Sequence, residues 1–175
     1  MTAFKNISDR LTKLANEVIT DRDNHLLSLG FDAVALISQR VQRKGVKSTG
    51  QKFKTPYSRR PLKGYYFPEK FVKYAQKNAI PLSYENYRKF LGLPIDKRNL
   101  TLTGKMFASI KPALTKTTLE QGEVTIAAGD SENQKLVDVN SAREKVNILA
   151  LSEKEREFLA GRTKKWITGL QNKYT

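Results

Sequence analysis

The chain has 175 residues, 32 Lys and Arg against 17 Asp and Glu for a formal charge of +15, and no cysteine. A chain of that length buries most of its apolar surface without staples, and the lack of thiols excludes a disulfide framework, a thiolate metal site and a cysteine nucleophile. The opening MTAFKNISDRL lacks the apolar run of a signal peptide, and no window approaches the roughly 18 uninterrupted apolar residues of a membrane span. A soluble chain made in cytoplasm, with no cofactor and no membrane partner, is therefore expected.

Residues 1–44 pattern as helix. Phe4, Ile7, Leu11, Leu14 and Val18 recur at spacings of three and four, and Leu26, Leu29, Ala33, Val34, Ile37 and Val41 form a second stripe. The polar run Thr20 to Asn24 between them is expected to cap a second helix. Gly45 and Gly50, flanking Ser48 and Thr49, end the helical stretch.

The charge is concentrated in the middle third of the chain. Residues 1–44 carry seven basic and five acidic side chains (+2), residues 101–175 twelve and nine (+3), and residues 45–100 thirteen and three (+10). Such a segment meets an anionic partner electrostatically, unless it is only a solvated surface. Ten of the sixteen aromatic residues also lie in it, whereas disordered segments are poor in aromatics. Two short helices fit inside: one from Pro68 to about Asn78 with Lys70, Lys73 and Lys77 on one face, and one capped by Ser83 and closed by Gly92.

Beyond residue 99, Thr103 is expected to cap a helical turn that groups Met106, Phe107 and Ile110 before Pro112 stops it. Leu100 and Leu102 join them as core, with Gly104 making the turn. LTKTTL and EVTIAA flank a tight EQGE and read as an antiparallel hairpin with one buried face. A helix from Ser131 to about Asn140 comes next, and alternating Val146, Ile148 and Ala150 read as a further short strand. Ser152 and Glu155 form a capping box opening a terminal helix, whose apolar side is Phe158, Leu159, Trp166, Ile167 and Leu170. The fold class is α+β: a small antiparallel sheet packed with N-terminal and C-terminal helices, plus a long basic helix-containing insertion. A single domain spans 1–175, divided into N-terminal helices (1–44), a basic aromatic-rich insertion (45–98), and sheet with C-terminal helix (99–175).

Residues suited to catalysis are few. His25 is the sole histidine, with Asp21 one helical turn before it; a metal or acid–base pair is conceivable, and a structural or solvent-facing histidine is the favoured reading. Glu153, Glu155 and Glu157 suit the positive end of a helix dipole. GVKSTGQK resembles a phosphate-binding loop only superficially, because Gln51 stands at the lysine position and no strand precedes it. The basic segment supplies the expected contact set for nucleic acid or a protein partner: Lys47, Lys52, Lys54, Tyr57, Arg59, Arg60, Lys63, Lys70, Lys73 and Lys77. Cations interleaved with aromatics neutralise phosphate and stack on bases, and they equally suit a protein interface core.

Three segments, GVKSTGQKFKTPYS, LTLTGKMFASI and NILALSEKERE, resemble in that order the tail-completion or tail-terminator type of head–tail joining (neck) protein of tailed phages, including the related virion morphogenesis proteins. The family's basic arginine-glycine step, glycine and tyrosine-serine pair are matched by Arg43 to Gly45, Gly50, Tyr57 and Ser58. Its leucine-threonine-glycine turn and serine-isoleucine pair are matched by Leu102, Thr103, Gly104, Ser109 and Ile110, and its leucine-serine and acidic helix start by Leu151, Ser152 and Glu155. The likeness covers the helix before the loop and nearly everything from 99 onward, while residues 59–97 are longer than the family's usual connection. The resemblance implies a non-enzymatic structural protein of the virion, assembled in the host cytoplasm. It would form a homo-oligomeric ring between head connector and tail, meeting neck, portal-adaptor or tail-tube proteins, with sequence-independent contact to genomic DNA as a further expectation. The alternative is a sequence-independent nucleic-acid-binding protein.

Overall fold

A computed structural model describes residues 2–53, 57–96, 100, 105–118 and 121–173. The fold is α+β, with helices α1 (Thr2–Ser38), α2 (Glu69–Lys77), α3 (Tyr84–Phe90), α4 (Lys105–Ser109), α5 (Ser131–Glu144) and α6 (Glu153–Asn172), and one hairpin, β1 (Ile110–Thr117) and β2 (Gly122–Ala128). Lys54, Leu102, Thr103 and Gly104 lie outside the described residues, as does the side chain of Phe4.

The expected break at Thr20 to Asn24 does not occur, and α1 runs through it. Thr20 returns its hydroxyl to the Asn16 carbonyl at 2.8 Å, a local bond compatible with helix. Asp21 instead accepts from the Trp166 indole at 3.1 Å, so a side chain that reads as a cap is a tertiary contact. At its C-terminal end α1 widens into a π turn, Gln39–Lys44, which stops at Gly45 with φ 65°, a left-handed conformation that favours glycine.

Helix α6 lies antiparallel along α1. Going up α6, Glu155 meets Arg40, Arg162 meets Asp32, Trp166 stacks on His25 and Lys173 pairs with Glu17. The expected capping box is present, Glu155 accepting from the Ser152 amide at 2.7 Å. Leu170 is buried and Leu159 and Trp166 are half-buried, while Phe158 and Ile167 face outward.

The hairpin packs across another side of α1. Its register pairs Ile110 with Ala128, Pro112 with Ile126 and Leu114 with Val124, placing those apolar side chains on one face while Glu123 and Thr125 point out. Pro112 does not stop a helix as expected; it lies within β1, where an edge strand tolerates the missing amide. Gly30 makes the packing possible, since a Cβ there would sit 2.5 Å from the Pro112 Cβ and 2.9 Å from a Val124 methyl. The strand expected at Val146 to Ala150 is a turn: Lys145 adopts φ 53°, and the Ile148 amide is taken by the Ser141 hydroxyl at 3.2 Å, leaving no free ladder.

The main core joins Ile37, Val41, Phe53, Met106, Phe107, Ile110, Val137, Ile148 and Leu149, with Leu100 packed against it. Each such side chain contributes roughly 1.5–3 kcal/mol of transfer free energy when fully buried. A second core, Phe67, Phe71 and Ala75 with Val72, Ile80, Leu82 and Tyr87, belongs to the 57–96 lobe alone.

Candidate interaction surface

Residues distant in sequence meet at the C-terminal end of α1, where Val41 shares a core with Ile110 and Leu151 packs against it. The π turn aims Arg40 sideways: its Nε donates to the Glu155 carboxylate at 2.9 Å, Nη1 to the Val46 carbonyl at 3.2 Å and Nη2 to the Ala150 carbonyl at 2.7 Å. The pair is buried. It ties the helix end to the loop before the lobe and to the start of α6. Removing one member of such a pair strands a charge in the interior, at about 3–5 kcal/mol.

The neighbouring loop is pinned rather than flexible. Val46 and Lys52 form an antiparallel bridge, and the Gly50 amide closes on the Lys47 carbonyl at 3.0 Å with Gly50 at φ 82°. Lys47 is the first correction to the expected contact set. Its ammonium turns inward to the Glu144 carboxylate at 2.7 Å and the Glu144 carbonyl at 3.2 Å, so it braces α5 and offers nothing to a partner. Burial of both ends is what makes this pair structural.

The lobe is built on aromatic rings. Phe71 contacts Phe67, Tyr87 and Phe90 at centroid distances of 5.1, 5.1 and 5.4 Å, within the range of favourable ring pairs. Ser83 caps α3 as expected, accepting from the Asn86 amide at 3.2 Å. Tyr57 is the second correction: it is buried, 3.9 Å beneath the Arg88 guanidinium, and meets the ring of Tyr84. Arg88 is itself fully buried and donates to the Pro94 carbonyl from both Nε and Nη2, at 3.0 and 2.9 Å. Nothing in the sequence distinguishes Arg88 from the exposed arginines around it.

The other expected cations that are described face solvent. Lys52, Arg59, Arg60, Lys63, Lys70, Lys73 and Lys77 are all exposed. Arg59 pairs with Glu85 at 2.7 Å and Lys73 with Glu69 at 2.6 Å. Glu85 also receives Lys89 at 3.0 Å; the hydrogen bond from Arg59, then that from Lys89, hold its carboxyl below the usual range. The rings of Tyr65 and Tyr66 meet at 4.3 Å between centroids with their planes tilted by 39°, and stand 73% and 62% exposed, with the Lys63 ammonium 6.0 Å from the Tyr65 ring centre.

His25 lies flat on Trp166, 4.3 Å between centroids and 8° between planes, and its Nε2 is 3.5 Å from the Thr163 hydroxyl. Burial lowers its pKa from the ordinary 6.5, against the opposing pull of Asp21. The imidazole is thus part of the α1–α6 contact, and no group of three or more metal-binding side chains accompanies it among the described residues. No described helix is long and apolar enough to cross a membrane. Comparison with protein-family models, curated proteins and solved structures yields no match.

Proposed function

We propose that the protein is a non-enzymatic structural component of a tailed-phage particle that forms or completes a ring at the head–tail junction or tail end. The observation that supports this reading is at the end of α1: Ile110 and Val41 share one core with Leu151 packed against it, and Arg40, beside that core, holds Glu155 of the Ser152–Glu155 cap. In this reading the body is the scaffold of the ring subunit, and the 57–96 lobe reaches toward a neighbouring ring or the DNA channel. A strongly adhesive channel would impede DNA passage, so only part of the positive surface faces nucleic acid and the rest meets acidic protein. The test is the mass of the purified protein, alone and with portal or tail partners, together with the protein content of purified particles. Ring-sized complexes and a fixed copy number per particle support it; absence from particles overturns it.

The exposed Tyr65–Tyr66 pair with Lys63 near the Tyr65 ring favours a second reading, sequence-independent nucleic-acid binding. That reading predicts tight binding of single strands by the monomer, with affinity falling steeply as salt rises.

A further inference from the structure

Helix α2 sets apolar and basic residues on opposite sides. Phe71 and Ala75 belong to the core of the lobe. At 3.6 residues per turn, Lys70, Tyr74 and Lys77 fall within about 60° of one another on the outer side, with Tyr74 one turn from each lysine. All three are exposed, Tyr74 at 43%. Its ring meets that of Phe90 in α3 at 5.0 Å between centroids, with the planes tilted by 45°. Phe90, 37% exposed, rests in turn on Phe71 at 5.4 Å. The Tyr74–Phe90 pair is thus held from the core side and open to solvent on the other.

Charge is left over on this face. Residues 57–96 carry eight basic and three acidic side chains, a net +5. Glu69 takes Lys73 at 2.6 Å, and Glu85 takes Arg59 and Lys89 at 2.7 and 3.0 Å. Lys70 and Lys77 enter no ion pair among the described residues. Uncompensated cations on a solvent face select an anionic partner.

The rings decide which anion. Cations one turn to either side of an exposed ring pair suit a strand whose bases are unstacked. A duplex offers its phosphates to the lysines and no free base face to the rings, and an acidic protein segment would engage the lysines and leave the rings unused.

We propose that this α2 face binds single-stranded nucleic acid without regard to sequence. A base stacks on Tyr74 and Phe90, while Lys70 and Lys77, about 10 Å apart along the helix, neutralise phosphates on either side of it. This contact rests on the nucleic-acid reading of the lobe and is distinct from the Tyr65–Tyr66 pair. The turn carrying that pair packs elsewhere on α2: a Cβ on Gly64 would stand 3.9 Å from both Val72 methyls, and Val72 is about 160° around the helix from Tyr74.

The test is fluorescence anisotropy of the full-length protein with a labelled oligothymidine, the matching duplex, and polyglutamate as competitor. Single strands are expected to bind at least tenfold tighter than duplex. Tyr74→Ser should weaken that binding about fivefold or more, the range for one lost stacked base, and Tyr74→Phe should restore it. Lys70→Gln/Lys77→Gln, at exposed positions, should reduce the slope of log affinity against log salt by about 1.4, or about 0.7 per phosphate contact, with helical circular dichroism unchanged. Equal affinity for duplex, or displacement of the strand by polyglutamate at equal charge, would overturn the proposal, the latter in favour of an acidic protein partner. If single strands bind the wild type while Tyr74→Ser and the lysine double variant bind them equally well, the α2 face is wrong and the nucleic-acid reading stands. If the wild type binds no strand even at low salt, both fail.

Discussion

Replacing Arg40 by alanine tests the brace that holds the end of α1, the loop after it and the start of α6 together. The substitution deletes three donors, one ionic contact at 2.9 Å and two bonds to carbonyls at 3.2 and 2.7 Å, and leaves Glu155 buried with only the Ser152 amide at 2.7 Å. Breaking one side of a buried pair costs about 3–5 kcal/mol. With a urea slope of about 2 kcal/mol per molar, the unfolding midpoint followed by circular dichroism should fall by about 2 M, and the melting temperature by roughly 10 °C. The double variant Arg40→Met/Glu155→Gln removes the stranded charge while a glutamine oxygen still accepts from Ser152, so it should recover part of the loss. A loss below about 1 kcal/mol for Arg40→Ala, the value of an exposed pair, would refute the claim that this contact is interior and structural.

Two glycines should respond oppositely to alanine. Gly30→Ala, whose Cβ meets Pro112 and Val124, should destabilise by about 1–3 kcal/mol through overpacking, whereas Gly161→Ala, exposed on α6 with nothing within 4 Å, should stabilise by about 1 kcal/mol; thermal melts of both check this. Phe71→Ala, at a fully buried position, should cost about 3–5 kcal/mol and raise hydrogen exchange in residues 57–96 while leaving α1 and α6 protected. Acid should loosen the same lobe. The Glu85 pKa is depressed below 4.5 in the fold, so the stability from its pairing is complete above that pH and is lost as pH falls through the lower folded value; Glu85→Gln should flatten this part of the acid titration followed by tyrosine fluorescence.

The features legible in the sequence are those whose partners are local. The Ser152–Glu155 box, the Ser83 cap and the alternation of Val124 and Ile126 each depend on residues within a few positions, and each is present. The features hidden from the sequence lie in long-range pairing. Thr20 to Asn24 looks like a helix break until Trp166 supplies a partner for Asp21, and Lys47 looks like a surface cation until Glu144, 97 positions away, takes it inside. The same holds for Tyr57, which packs beneath Arg88 instead of facing a ligand. The exposed stripe of Ile7 and Leu11 is visible as a pattern; that α6 stops short of covering it is not, because helix length says nothing about where a neighbour ends.

The lobe leaves the body at Phe53 and its chain returns at Leu100, and both residues pack into the same core cluster. The ends of the intervening 46 residues are thus held together by the body whatever lies between them. Loop-closure entropy depends only logarithmically on length, so cutting those residues to about ten changes the body's stability by roughly 1.4 kcal/mol. A protein built this way can exchange, enlarge or lose its outward-facing module over evolutionary time while its scaffold is left almost unchanged. Whatever contacts the insertion makes would then be rewritten within it and not in the body that carries it.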